Sequence, residues 1–284
     1  MSQEALPVVA AIPNYNMASN LRRLLPQLLS QGYDDIFILD DKSTDDSVTV
    51  AKGFGRKITV IEGLTNIGSG GNRNRILEAL AHEAIIHFLD ADVELLTHDV
   101  PTKARQLIRS QNTGFVGGLV LEKDGRQIPW NYGPRFSLYT DITAMVQHLF
   151  GSIQAEHPLW RHLIRKLSAG VRAEWPDIAT EPKRRPVFWC VEANFFVLRS
   201  AFERIGGFDA ALREHDSFDP ALRAYRLGLV SYFDPSVAVK HLRIDVRGEG
   251  RVRAIQKAAR YLIRKNGFKE WLLPDGRFKP RYNQ

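Results

Sequence analysis

One cysteine, Cys190, stands in 284 residues, which excludes an internal disulfide framework and a cysteine-based zinc cluster; a reducing compartment is expected. Long apolar runs are missing too. Stretches such as residues 36–39 and 84–89 fall far short of the about 20 residues that cross a bilayer. The opening MSQEALPVVAAIPNYN places an acidic group before a short apolar run and has no basic n-region, so a secretory leader is not expected. Hydrophobic residues at 44% and charged residues at 25% exclude both a polytopic membrane protein and a disordered chain. No G-x-x-x-x-G-K-[ST] loop occurs, and the glycines of residues 66–71 lack dinucleotide-fingerprint spacing, so neither Walker-type ATP binding nor NAD binding is supported. His82 and His87, written HEAAIIH, do not make H-E-x-x-H.

What is present is uneven. Residues 1–125 carry 12 basic and 16 acidic groups, for −4; residues 126–239 carry 14 and 12, for +2; residues 240–284 carry 13 and 4, for +9. The basic tail suits an anionic partner such as nucleotide phosphates, nucleic acid or an acidic membrane surface, or it is a solvated helical face.

Apolar patterning gives strands at residues 8–12, 36–39, 58–61 and 84–89. Helical spacing marks residues 19–31, 47–54 and 72–83. This alternation predicts an α/β fold with a doubly wound, mostly parallel sheet, in which ligands collect beyond the carboxyl ends of the strands. The polar clusters at residues 13–16, 40–46, 66–75 and 90–92 fall at those ends. Farther along, a strand is expected at residues 115–121, a hairpin region at 125–134, a helical insertion at 140–167 and an exposed loop at 175–186. Strand 188–198, helices 200–205 and 217–227, and strand-like segments at 229–233 and 232–240 follow.

Asp90 and Asp92, in FLDADVEL, place two carboxylates two residues apart at a strand end, where both can reach one cation; oxygen ligands suit Mg²⁺ or Mn²⁺ on a diphosphate. Such a pair is also common in ordinary loops. Asp40 and Asp41 offer acceptors for a base N–H, or serve a turn in which Ser43 and Thr44 are the better helix caps. Tyr15 can stack on a base, and Pro13 fixes its loop. Gly68 permits close backbone approach, and Arg73 carries a fixed charge suited to phosphate.

Taken in order, Ile12-Pro13-Asn14-Tyr15-Asn16, the acidic turn DDKSTDDS, Asn66-Ile67-Gly68 with Arg73-Asn74, and Asp90-Ala91-Asp92 resemble family 2 glycosyltransferases of the GT-A fold. Glu192-Ala193-Asn194-Phe195 and Gly206-Gly207-Phe208-Asp209 extend the resemblance over residues 8–241. It implies a GT-A (Rossmann-like) sheet with an antiparallel acceptor-side extension, a nucleotide-diphosphate sugar donor, UDP-linked, a divalent metal (Mn or Mg), and inversion at the anomeric carbon. It implies nucleotide-binding roles for Pro13, Tyr15, Asn16, Asp40, Asp41, Gly68, Arg73 and Asp90, and a metal site of Asp92 and His241, with Asp90 on the ribose or the metal.

Transfer to a hydroxyl needs a carboxylate base. The family commonly carries Glu-Asp before the helix that ends here at Gly228; counting back sets Asp216 and Ser217 there, so a serine falls on the usual base. Asp216 is the expected base and Glu214 the next; His215 is expected to orient an acceptor or touch phosphate, and all three also suit a helix start. Trp130 and Trp189 offer aromatic faces for an acceptor sugar, or core packing. Gln256, Arg260 and Tyr261 are a near miss to the Q-x-x-R-W of processive synthases, so single-sugar addition is expected. Residues 251–265 form an amphipathic basic helix fit for an anionic membrane, and for a glycan or lipid-linked acceptor there, or for packing on its own domain.

The expected organisation is a nucleotide-sugar-binding subdomain at 1–125, an acceptor-binding subdomain at 126–241 with its insertion at 140–186, and a basic helical tail at 242–284. The expected place is cytoplasmic, peripheral at the inner membrane face, with no nucleic-acid partner. The rival class is a noncatalytic carbohydrate-binding or membrane-scaffolding protein of the same fold.

Overall fold

The structure, a computed structural model, describes residues 6–108, 110–138, 174–176, 180–214, 216–242 and 251–272. The insertion expected at 140–167 and His215 lie outside the described residues, as do much of the tail and part of the 175–186 segment.

The first half follows its apolar pattern. β1 (Val8–Asn14), α1 (Ala18–Ser30), β2 (Asp35–Asp40), α2 (Ser47–Gly53) and β3 (Ile58–Glu62) alternate as expected. β1, β2 and β4 (Ile85–Leu89) are almost wholly buried, which continuous apolar runs produce when a parallel sheet is covered on both faces. Leu21, Leu24, Leu25 and Leu28 line one side of α1 and are fully buried, at the 3.6-residue period of an amphipathic helix.

Among the described residues the sheet has nine strands in the order β3-β2-β1-β4-β10-β6-β11-β5, with β8 paired to β11. β3, β2, β1 and β4 run parallel; β10 (Asn194–Leu198) runs against both β4 and β6 (Thr113–Leu121), and β11 (Val230–His241) is parallel to β6. The short β5 (Val93–Leu95) and β8 (Arg185–Val187) lie antiparallel to β11. A separate pair joins β7 (Tyr132–Gly133) to β9 (Trp189–Cys190).

Several expectations change. The helix expected at 72–83 is two pieces, α3 (Gly68–Arg73) and α4 (Ile76–Ala79). Its break lies at Asn74, whose amide nitrogen donates to the Phe208 carbonyl while its oxygen accepts from Phe208 N, tying this segment to the second half. The exposed loop expected at 175–186 instead buries Trp175 and ends in β8. Strand 188–198 divides at residues 191–193, and the two segments at 229–240 form the single strand β11. β5 and α5 (Val100–Leu107) went unexpected, β5 because three residues carry too little pattern.

The remaining helices are α6 (Arg199–Ile205), α7 (Phe218–Arg226), α8 (Arg251–Asn266) and α9 (Phe268–Leu272). A second core of Trp175, Phe188, Trp189, Phe218 and Leu222 takes in Ala258 and Leu262 of α8. Lys265 reinforces this seat, reaching Asp209 at 2.6 Å and Asp219 at 2.7 Å. Of the two readings of the basic helix, its described part therefore packs on its own domain. No helix among the described residues is long and apolar enough to cross a membrane.

Candidate active site

Because β1 to β4 are parallel, the segments leaving β1, β2 and β4 emerge on one edge, and the loop after β3 joins them. Two of these loops are stitched together. Asn14 Nδ2 donates to Asp40 Oδ1 at 2.8 Å, Ser43 Oγ accepts from Asn16 N at 2.9 Å, and Asn16 Oδ1 accepts from Thr44 N at 2.7 Å. Asn16 and Lys42 both take positive φ, 55° and 64°, a conformation that side chains ordinarily avoid and that here the hydrogen bonds impose. Tyr15, just before Asn16, is exposed, and Pro13 is half-buried at the end of β1.

Asp40 and Asp41 are both buried, and their oxygens pin loops. Asp40 accepts from Ser43 N and Oγ, and Asp41 from Ile67 N at 2.9 Å and Gly68 N at 2.7 Å. Arg75 closes the arrangement with an ion pair to Asp41 at 3.2 Å. Gly68 has φ +83°, a left-handed conformation that calls for glycine, and the Arg213 side chain passes close over it. Arg213 in turn donates to Asn66 Oδ1 at 2.8 Å, joining the second half to this loop.

Asp90 and Asp92 lie on the segment that leaves β4 and enters β5. In the sheet those strands are separated by β10, β6 and β11, so this short turn crosses their ends. The antiparallel pairing of β5 with β11 sets His241 opposite Val93 and so beside the acidic turn. His241 Nε2 lies 3.1 Å from Asp92 Oδ1 and 3.8 Å from Asp90 Oδ2, and one ligand atom from each of the three residues falls within 4.8 Å of the others. Two carboxylates and an imidazole at this spacing are a donor set for a divalent cation of the Mn²⁺ or Mg²⁺ kind.

Arg73 is the centre of the cleft's electrostatics. It is 1% exposed, donates from Nη2 to Asp90 Oδ1 at 2.7 Å, and holds Nη1 at 3.6 Å from Asp216 Oδ2. Among the described residues its Nε and Nη1 have no hydrogen-bond partner, an uncommon state for a buried cation and one that an anionic ligand would relieve. Burial raises the pKa of Asp90; Asp92 and Asp216 add to the rise, while Arg73 and His241 oppose it.

Asp216 is buried just before α7 and accepts from Ser69 Oγ at 3.2 Å, so the second half faces the glycine loop. Glu214 is half-buried in the preceding turn. Trp189 is buried in the second core, edge-on to Phe218 with centroids 5.1 Å apart; Trp130 is half-buried between the two hydrophobic clusters.

One residue of the cleft was not singled out as a site residue. Glu192 accepts from Ser217 N at 2.8 Å, and its pKa is pushed up to about 8, by burial first and then by Asp216, against the opposing pull of Arg73 and the Ser217 bond. The available signal was a lone carboxylate inside the apolar run VFWCVEANFFVL.

His87 is no ligand: it is fully buried in β4. The Asn194 amide nitrogen donates to the Leu119 and Val237 carbonyls, which turns its oxygen toward His87 Nε2 at 2.8 Å; Nε2 therefore carries the hydrogen, and Nδ1 accepts from Tyr33 Oη at 2.6 Å.

The sequence model described as "Glycosyl transferase family 2" matches residues 9–167, more than half of the chain. An N-acetylglucosaminyl-diphospho-decaprenol L-rhamnosyltransferase of Mycobacterium tuberculosis is 26% identical over 259 residues, 86% of this chain and 78% of that protein. Among solved structures, a mannosyltransferase from Pyrobaculum calidifontis in complex with GDP-Man and Mn²⁺ superposes with TM-score 0.56 at 16% identity. That match covers 91% of this chain and 66% of the other. Glucosyl-3-phosphoglycerate synthase from Mycobacterium tuberculosis, solved with Mn²⁺, UDP and glucosyl-3-phosphoglycerate, gives 0.51 at 14% identity, covering 93% and 81%. The strand order, the acidic turn at its carboxyl edge and the family match agree: the chain belongs to glycosyl transferase family 2 and has the GT-A fold.

Proposed function

We propose that the protein transfers a single sugar from a nucleotide-diphosphate sugar, UDP-linked, to a hydroxyl acceptor, with inversion, in the synthesis of a glycan or cell-surface polysaccharide. The observation that carries this reading is the convergence of Asp90, Asp92 and His241 beside Arg73, a buried cation whose Nε and Nη1 are unfilled among the described residues. Asp92 and His241 would hold a divalent cation, with Asp90 shared between it and the ribose. When bound, that cation supplies positive charge to the departing diphosphate.

The chain's own residues do the rest. Arg73 points its free N–H groups at phosphate oxygens, and Gly68 lets the backbone approach them. Tyr15 stacks on the base, with Pro13 and Asn16 shaping its loop. Asp40 and Asp41 fix the floor of that pocket, and either accepts from the base's N–H with an oxygen lone pair left over from the loop bonds. A carboxylate of the group at the start of α7, where Asp216 and Glu214 lie, takes the proton of the acceptor hydroxyl. Trp130, Trp189 and His215 belong to the acceptor side. Residues 1–125 then serve the donor, 126–241 the acceptor and 242–284 the docking of a lipid-linked acceptor at the inner membrane face; the rhamnosyltransferase relative, named for a decaprenol-linked substrate, supports that choice.

Thermal-shift measurements with UDP-, GDP- and dTDP-sugars, with and without Mn²⁺, test the donor site, because a ligand bound to the folded state alone raises the melting temperature. A shift that needs both nucleotide and cation, together with release of nucleoside diphosphate, is expected. Sugar binding without any turnover would favour a noncatalytic module.

A further inference from the structure

Resting on the glycosyl-transfer reading, the inference concerns which carboxylate receives the proton. Ser217 stands where the family resemblance puts the usual base, and a hydroxyl is too weak a base for that work. The folded chain brings a carboxylate back to the same place from another strand. Glu192, in the break between β9 and β10, is bonded through its side chain to the main-chain N–H of Ser217 itself. Its neighbour Ala193 accepts from Asp90 N at 3.3 Å, and its own carbonyl accepts from Arg73 Nη2 at 3.4 Å. Glu192 is thereby held between the acidic turn and the start of α7.

The surroundings separate the two carboxylates in character. Asp216 is engaged by the Arg73 cation and the Ser69 hydroxyl. Glu192 is bonded by a neutral backbone N–H, with the Asp216 charge nearby and the buried thiol of Cys190 two residues back, itself pushed up by burial and by Glu192. A general base works best when its pKa lies near the working pH, and Glu192 is pushed to about 8.

We infer that Glu192 is the proton acceptor of the transfer, replacing in space the carboxylate that Ser217 lacks in sequence, and that Asp216 is a positioning residue that acts through Arg73 and Glu192. In the step, the acceptor O–H bond breaks and its proton passes to a Glu192 Oε. The freed oxygen pair forms the bond to the anomeric carbon, and the anomeric C–O bond breaks with its electron pair leaving on the nucleoside diphosphate.

The test uses the full chain with Mn²⁺ and UDP-glucose, UDP-GlcNAc, GDP-mannose and dTDP-rhamnose, water serving as acceptor and released nucleoside diphosphate being measured. E192Q should keep the Mn²⁺-dependent thermal shift with UDP while losing about 10² to 10⁴ in turnover. The wild-type rate should climb with pH and level off near 8, a rise that E192Q lacks. D216N should lose less and move that profile to lower pH, because removing its charge makes Glu192 more acidic. E192Q/S217D should recover part of the loss. Wild-type turnover in E192Q with an unchanged pH profile overturns the inference. If the wild type releases nothing from any donor, the donor reading fails separately. Glu192 is then decided by ¹³C NMR: a carboxyl signal, identified by its absence in E192Q, that titrates in the ordinary glutamate range refutes the inference.

Discussion

Replacing Arg73 with methionine removes one charge while keeping most of the side chain's apolar bulk. In the native protein that guanidinium is 1% exposed, 2.7 Å from Asp90 and 3.6 Å from Asp216. Without it, Asp90, Asp216 and Glu192 lose the guanidinium that faces them. Removing one partner of a buried ion pair costs about 3–5 kcal/mol, because the other charge stays buried and uncompensated. For a chain of this size each kcal/mol moves the melting temperature by about 2–4 °C, so a fall of roughly 6–20 °C is expected at pH 7.5. The sign with pH follows. Asp90 and Glu192 are already raised in the native protein and lose Arg73's opposing pull in the variant, so their folded-state pKa values rise further, and their contribution is retained at low pH and lost as pH climbs through the raised values. The deficit should therefore shrink between pH 7.5 and pH 5. Urea unfolding of both proteins at the two pH values measures it, and a deficit below about 1 kcal/mol, or one equal at both pH values, would refute the idea that Arg73 holds these carboxylates together.

Asp92→Ala should abolish the Mn²⁺-dependent part of any nucleotide thermal shift while leaving the apo melting temperature within a few degrees; a retained Mn²⁺ effect would exclude Asp92 as a ligand. His87 is held neutral, its pKa lowered to about 3 by burial, so stability should be full above pH 6.5 and fall below it by up to about 1.4 kcal/mol per pH unit. His87→Gln should flatten that slope in acid-unfolding curves, and an unchanged slope assigns the acid lability elsewhere. Leu262→Ala, at a position 1% exposed, should cost about 2–5 kcal/mol and expose α8 to limited proteolysis before the sheet; simultaneous cleavage of both would show that the helix is not a separable layer.

The strands of residues 8–89, their parallel order and the family were legible along the chain because burial on two faces demands continuous apolar runs, and polar loops at strand ends follow from that order. Asp90, Asp92 and Arg73 stood out as candidates for the same reason: their signals are local. What the linear order left open was how the two halves meet. Asn74 breaks a helix to bond Phe208, the turn after β4 crosses three strand ends so that β5 pairs beside His241, and Glu192 meets the N–H of Ser217, 25 residues away. None of these contacts has a period or a composition to announce it. Each is decided by register in a sheet whose neighbours are distant in sequence, and the electrostatic character of a carboxyl group depends on which charges that register places beside it.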